Sequence, residues 1–428
     1  MIDIKLIREN SELVKENIKK KFQNEKLELV DKVIKIDAKW RKVKKKVDDL
    51  RADRNKISES INKLMKGGEK SKTKKLIVEA KEIPEKISKI EVKLKKFEKK
   101  IEKIMILIPQ IMHSSVPIGK DDSENVELEK IGDPKIPAYE IFNHAELAEK
   151  LGGLDLDSSR KTSGQGFYFL RGDIARLHSA ILSYARDFMI EKSFEYVIPP
   201  FIIRADVVTG VMSFEEMDAM MYKIENEDLY MIGTSEHSMI AMFKNKTLKK
   251  DEVPQKLTSY SPCFRKEKGA HGIEERGLYR VHQFEKQEMI VVCEPEDSYD
   301  WYEKMLDWTV NFFRNLDVPV RKLECCSGDL ADLKSKSADV EAWSPRQKKY
   351  FEVGSCTNME DAQARRMGIK INGKEGNYFA HTLNNTVVAS PRALIALIEN
   401  NQNKDGSINI PKVLQSYMGG KKKIEMKE

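Results

Sequence analysis

Apolar residues recur every three and four positions along two tracts of this chain. The first runs Val33, Ile36, Trp40, Val43, Val47, Leu50, Arg54, Ile57, Ile61 and Leu64, and only Arg54 interrupts the apolar series. The second runs Ala80, Ile83, Ile87, Ile90, Leu94, Phe97, Ile101, Ile104 and Ile108 without a break. Lys66-Gly67-Gly68 lies between them. Alternating 3-4 spacing keeps one stripe of a helix apolar. Two such tracts about a Gly-Gly turn therefore predict an antiparallel helical hairpin, a two-stranded coiled coil. At 1.5 Å per residue each tract makes an arm roughly 50–60 Å long. Pro84, near the start of the second tract, is expected to kink or delay that helix, because it lacks an N–H and crowds the preceding turn. Residues 1–25 are expected to form a short helical cap at the base of the arm.

After residue 108 the period changes. The Pro- and Gly-rich stretch IPQIMHSSVPIGKDDSENVELEKIGDPKIP reads as a linker, with a boundary near 110–125. Beyond it RLHSAILSYARDFMIEKSF, SYDWYEKMLDWTVNFFRNL and SPRALIALIENNQ read as helices. EYVIPPFIIR, QKLTSYSPCFRKE, GLYRVHQFEKQEMIVVC, KYFEVGSCTN and YFAHTLNNTVV read as strands, and DLYMIGTSEHSMIAMF passes from strand to helix. Strands joined by short polar loops, without regular βαβ crossovers, favour an antiparallel sheet with helices packed on it. The fold class is thus α+β: a helical hairpin over residues 1–112 and a sheet-based body over 113–428.

Charge divides the chain in the same place. Residues 1–108 hold 33 Lys+Arg against 19 Asp+Glu, while the remainder holds 43 against 50. A basic arm on a mildly acidic body suggests a polyanion partner for the arm, although a solvated Lys-rich helix face would look the same. With 40 % hydrophobic and 34 % charged residues the composition is that of a globular protein. No apolar run approaches the roughly 18 residues of a membrane helix, and MIDIKLIREN has no signal-like apolar core. The five cysteines (263, 293, 325, 326 and 356) contain no C-x-x-C pair, so a reducing, cytoplasmic setting is expected.

The candidate chemistry lies on FRKEKGAHGIEERGLYRVHQFEKQEM, residues 264–289. With a period of two, Arg265 and Glu267 share one face of the first strand. Arg280, His282, Phe284, Lys286 and Glu288 share one face of the second. Arginines can grip phosphate or carboxylate, and an aromatic ring beside them can stack a base. An exposed face laced with ion pairs remains the competing reading. In the closing helix Ser390 fits an N-cap, Pro391 the first position and Arg392 the first turn, where the dipole disfavours a cation unless an anion binds there. Thr234 and Glu236 could face a pocket if extended, or simply start a helix. Glu352 could bridge a metal or be an edge charge. Neither G-x-x-x-x-G-K-[ST] nor a well-placed G-x-G-x-x-G occurs.

FRKE followed by RVHQFEKQE resembles motif 2 of the class II aminoacyl-tRNA synthetases. TLNNTVVASPRALIALIENNQ resembles their motif 3, and YVIPPFIIR their motif 1. TSE and the N-terminal hairpin point, within that class, to the seryl-tRNA synthetases. The resemblance implies a six- or seven-stranded antiparallel sheet in a homodimer. The implied reaction is ATP- and Mg²⁺-dependent: L-serine is activated as seryl-adenylate and then moved to tRNA-Ser, and where it exists to tRNA-Sec. Carried over, Arg265 would hold the α-phosphate and the serine carboxylate. Lys266, Glu267 and the Val281 backbone would meet ATP, Phe284 and Arg392 would sandwich adenine, and Arg280 would grip the terminal phosphates. Glu352, Val353, Gly354 and Ser355 would line the ATP site, with Glu352 and Ser355 on the metal. Thr234, Ser235 and Glu236 would receive the serine amino group, while Glu288, Asn384 and Thr386 would surround its hydroxyl. Motif 3 reads NNT where many members read NGS, which keeps a hydroxyl at Thr386. KGAHGIEERG is expected to reach toward the tRNA acceptor end, and Arg365 and Arg366 to serve a helix surface. An RNA-binding protein with an inert synthetase-like body, and an amino-acid:carrier-protein ligase, are the alternatives.

Overall fold

The structure, a computed structural model, describes residues 1–67, 70–267 and 277–426. Two compact units divide the chain, Ile2–Pro109 and the stretch from Gln110 to Glu428.

In the first unit the heptad tracts become α3 (Leu27–Lys66) and α4 (Lys70–Met105), preceded by α1 (Ile4–Glu9) and α2 (Ser11–Lys20). Val47, Ile83 and Ile87 are buried along the seam, with Leu50, Ile57 and Ile90 packed on them. Arg51 bonds Glu91 at 2.7 Å and Trp40 Nε1 bonds Glu98 at 3.2 Å. As the first helix advances the partner number falls, so the pair is antiparallel. The exposed Arg54 turns its charge to water. Pro84 does not delay α4, which begins fourteen residues earlier and continues past it. Asp37, beside the heptad series and 2 % exposed, is held by Arg8 (2.6 and 2.9 Å) and Arg41 (3.0 Å). This buried, bidentate contact fastens α1 to α3.

The second unit is built on an eight-stranded sheet. Its strands are β1 (Val126–Ile131), β2 (Glu195–Tyr196), β3 (Gln255–Phe264), β4 (Gln283–Cys293), β5 (Val320–Glu324), β6 (Lys336–Ser344), β7 (Lys349–Asn358) and β8 (His381–Ala389). The spatial order is β1-β5-β6-β7-β8-β4-β3-β2, antiparallel except for the edge pair β2/β3. The six or seven strands expected are therefore eight. The extra edge strand β1 comes from the stretch read as linker: its side chains are almost all exposed, so no alternation marked it.

Strand β4 shows how the sheet sorts its side chains. Met289, Val291 and Cys293 point into the main core, against α5 (Gly172–Glu191), α7 (Ser298–Asn315) and α9 (Ser390–Asn401). Ile290 and Val292 point the other way, into a smaller cluster with Met239, Ile240 and Ala364. Phe284, Lys286 and Glu288 share that second face by parity. Lys286 is 5 % and Glu288 1 % exposed, which rules out a solvent-washed sheet face at these positions.

Candidate active site

A cleft with an empty volume of about 640 Å³ opens where β3 and β4 end beside β7 and the start of α9. Arg265, Glu267, Tyr279, Arg280, Val281, Phe284, Lys286, Glu352, Val353, Gly354, Thr386 and Arg392 line it. Arg265 donates Nε to the Gly233 carbonyl at 3.2 Å, and its guanidinium carbon lies 5.2 Å from the Phe284 ring centre. Arg392 donates to Glu352 Oε2 at 2.9 Å and to its carbonyl at 3.0 Å, and lies 4.9 Å from the Tyr279 ring. That carboxylate offsets the cost of a cation in the first turn of α9. Burial pushes Glu352 up, but the charge and hydrogen bond of Arg392, with Arg265 and Lys334, outweigh it and hold the carboxyl low. Behind it, burial and then the Glu352 charge push Asp339 up to about 7.

The inner wall adjoins a second, buried group of polar side chains. Glu236 opens the short helix α6 (Glu236–Ala241) and accepts at Oε1 from Gln363 Nε2 (2.8 Å) and Asn384 Nδ2 (3.1 Å). Its backbone N–H reaches Thr234 Oγ1 at 3.3 Å. Burial, then the charge of Glu288, push its carboxyl up to about 7. Glu288 forms an ion pair with Lys286, and Thr386 faces it across the β4/β8 ladder. Ser235 is fully buried, and its hydroxyl meets no hydrogen-bond partner among the described residues. His237, next along the helix, is held neutral by burial and by Lys286 and Arg265, which lower it to about 3.

The outer wall has its own support. Leu278 donates its N–H to His144 Nε2 at 3.3 Å, so the ring carries its proton on Nδ1, which faces Glu399 at 3.6 Å. Glu399 is also held by Ser344 and by Arg346 at 3.1 Å. Gly277 precedes Leu278 with φ +114°, and a Cβ there would sit 2.5 Å from His144 Nε2, so only glycine fits.

The seryl-tRNA synthetase N-terminal domain family matches residues 1–112, and the class II tRNA synthetase core domain family (G, H, P, S and T) matches residues 220–401. A serine–tRNA ligase from Methanospirillum hungatei is 40 % identical over 424 residues, covering 98 % of this chain and 99 % of the relative. The chain belongs to the seryl-tRNA synthetase family. Ligation of serine to tRNA is the activity that goes with that membership. A crystal structure of seryl-tRNA synthetase from Pyrococcus horikoshii complexed with ATP superposes with a TM-score of 0.91, at 39 % identity and full coverage of both chains. A cytoplasmic serine–tRNA ligase from Naegleria fowleri in complex with AMP gives 0.88 at 33 % identity, covering 100 % of this chain and 99 % of that one.

Against that family frame most of the residues singled out from sequence gather at one place, with some displacements. Arg280 and His282 precede β4, because the strand begins at Gln283. Glu267 lies past the end of β3 with φ +48°, and its carboxylate meets Arg280 at 3.4 Å. Lys266 is outside the cleft lining and donates its backbone N–H to the Met220 carbonyl at 2.9 Å. Ser355 is also outside that lining; it faces Asp339 across the β6/β7 ladder, and its hydroxyl lies 3.4 Å from that of Ser337. Glu352 is on β7, near the middle of the sheet, and not an edge charge. Thr234 and Glu236 meet at a helix start, not on an extended segment. Ser390 does not cap α9 with its side chain; its hydroxyl lies 2.8 Å from His178 Nε2. Arg366 is not a surface residue of its helix, since Nη1 reaches the Thr209 and Met212 carbonyls at 3.0 and 2.9 Å. The loop expectation for KGAHGIEERG falls on residues 268–277, all of which but Gly277 lie outside the described residues. Sequence reasoning missed Gln363, Asp339, His144 and the part played by Lys286. The parity of β4 had already put Lys286 on the right face.

Proposed function

We propose that this chain activates L-serine with ATP in the cleft and transfers it to tRNA-Ser. The observation that carries the reading is the junction of an Arg- and Phe-lined cleft with the buried Glu236/Glu288 pocket, joined through Lys286 and Thr386. ATP comes to this chain from the complexed relative and the class II core. Adenine would lie between Phe284 and Arg392, with Val281 at its edge and Val353 and Gly354 below. Arg265 and Glu267 would meet the α-phosphate region, Arg280 the terminal phosphates. Lys266 would approach ATP from outside the cleft lining.

Glu236, Thr234 and Ser235 would receive the serine ammonium, and Glu288, Asn384 and Thr386 its hydroxyl. A carboxylate oxygen of serine then attacks the α-phosphorus, the bond to the bridging oxygen breaks, and pyrophosphate leaves. Serine's carboxylate is already a nucleophile, so no general base is required. Arg265 works by aligning it and by stabilising charge at phosphorus. A terminal ribose hydroxyl of the tRNA next attacks the serine carbonyl, and AMP leaves.

The donor set fits Mg²⁺ travelling with ATP: one carboxylate (Glu352) and one hydroxyl (Ser355), leaving room for phosphate oxygens and water. When bound, the ion would neutralise phosphate charge. Residues 1–112 would form the tRNA-binding arm and 113–428 the catalytic domain, in a homodimer. The lysine excess of the arm suits a phosphate backbone. Five free, buried cysteines support a cytoplasmic setting, and no described helix is long and apolar enough to cross a membrane. tRNA-Sec would be a second acceptor where it exists.

Serine-dependent ATP–pyrophosphate exchange by the purified chain, followed by charging of tRNA-Ser, tests this. Exchange with a different amino acid, or with none, would sink it. Exchange without tRNA charging would point to a carrier-protein acceptor instead.

A further inference from the structure

We propose that Gln363 is a positioning residue of the serine site, holding Oε1 of Glu236 so that Oε2 faces the incoming ammonium group. The inference rests on the assignment of Glu236 to the serine amino group. Gln363 lies on α8 (Ala362–Met367), a helix that no catalytic motif of the sequence includes, and it is 0 % exposed. Its amide is saturated. Nε2 donates to Glu236 Oε1 at 2.8 Å and to the Val211 carbonyl at 3.3 Å, while Oε1 accepts from Thr382 Oγ1 at 2.7 Å.

Only one orientation of that amide is compatible with its surroundings. Turned over, its oxygen would face the Val211 carbonyl and the Glu236 carboxylate, two acceptors with no proton between them, whereas the Thr382 hydroxyl can serve either orientation. The Val211 carbonyl therefore orients Gln363, Thr382, fully buried on β8, anchors its oxygen, and Gln363 holds Glu236. The helix under the glutamine is held in turn by Arg366 on the Thr209 and Met212 carbonyls. With Asn384 also on Oε1, both amide donors reach the same carboxylate oxygen. Oε2 accepts no hydrogen bond from the described residues, so the next donor to arrive meets that oxygen.

The charged neighbours make this control necessary. Glu288 repels Glu236 from β4, Lys286 on the same strand and Lys334 before β6 attract it, and the neutral His237 adjoins it on α6. A carboxylate so placed binds an ammonium only when ionised and aimed, and two amide donors favour that form.

The test is steady-state ATP–pyrophosphate exchange with Gln363→Met, which keeps length and volume but no hydrogen bond. kcat/KM for serine should fall about tenfold or more. KM for ATP should hold within about twofold, and the pH below which serine use declines should move upward. Gln363→Glu, which sets a second carboxylate against Glu236, should lose more. Should the Met variant not fold, Thr382→Val leaves Gln363 in place and removes the hydrogen bond that anchors its oxygen; a smaller loss, again selective for serine, is expected. Serine and ATP parameters falling together, with the acid limb unmoved, would overturn the proposal and leave Gln363 a packing residue. Wild-type exchange with serine is the control: its absence would count against the serine assignment itself.

Discussion

Lys286→Met separates the pocket's electrostatics from its packing. Lys286 and Glu288 form an ion pair between side chains only 7 % and 1 % exposed, two residues apart on one face of β4. Methionine replaces the stem and removes the charge, which strands Glu288 in a site closed to water. Breaking a buried pair on one side costs about 3–5 kcal/mol, most of it the unpaired charge left behind. A body the size of Gln110–Glu428 has an unfolding entropy near 0.7 kcal/mol/K, so the expected fall in Tm is about 4–7 °C. The double variant Lys286→Met/Glu288→Gln removes both charges and should recover more than half of that loss. Thermal unfolding at pH 7.5 of the two single variants, the pair and the parent closes the cycle. A cost below about 1 kcal/mol for Lys286→Met, or simple additivity of the two changes, would refute the reasoning. Either result would mean that water or another cation already serves Glu288.

Two further outcomes follow from the same geometry. Because Glu236 sits at about 7, against an ordinary 4.5, kcat/KM for serine should drop about tenfold per unit as pH falls below 7, with little change for ATP. The stability term has the opposite slope: the raised value favours the fold by on the order of 3 kcal/mol below pH 4.5, and this is lost as pH rises through 7. Flat serine kinetics between pH 6 and 8 would contradict the ammonium assignment. In the arm, Val47→Asp buries a charge in the helical seam, where Val47 is 1 % exposed. It should abolish tRNA charging while leaving pyrophosphate exchange within about twofold, and parallel loss of both would count against the division of labour.

What could be read from sequence divides along physical lines. The seam was legible from Val33 to Ile104, with Ile108 past the end of α4, because a heptad is local: each residue's burial depends on neighbours three and four places away. The β4 face was legible for the same reason, since parity alone joins Phe284, Lys286 and Glu288. Where regular structure stopped, the rule failed. Arg280 and His282 were assigned to a strand that begins only at Gln283, because alternation in sequence persists past the end of the ladder. Strand β1 escaped because an edge strand with both faces exposed carries no alternation. Gln363 and His144 were unreadable for a different reason. Their partners lie 127 and 134 residues away, and a lone buried glutamine or histidine has no periodic signature. Ser390 looked like a cap because Ser-Pro-Arg is a good helix start, yet the fold gave its hydroxyl to His178.

Helix α9 touches the cleft from both ends. Its first turn holds Glu352 through Arg392, and Ser390 is tied to His178. Its far end carries Glu399, whose carboxylate lies 3.6 Å from His144 Nδ1, while His144 Nε2 accepts from the Leu278 N–H. About 10 Å of helix therefore separates the Arg392 contact from the Glu399 contact. A helix held at both ends acts as a gauge block for that spacing. In the proposed nucleotide site, Arg392 would turn from Glu352 to a ring face while that spacing is kept.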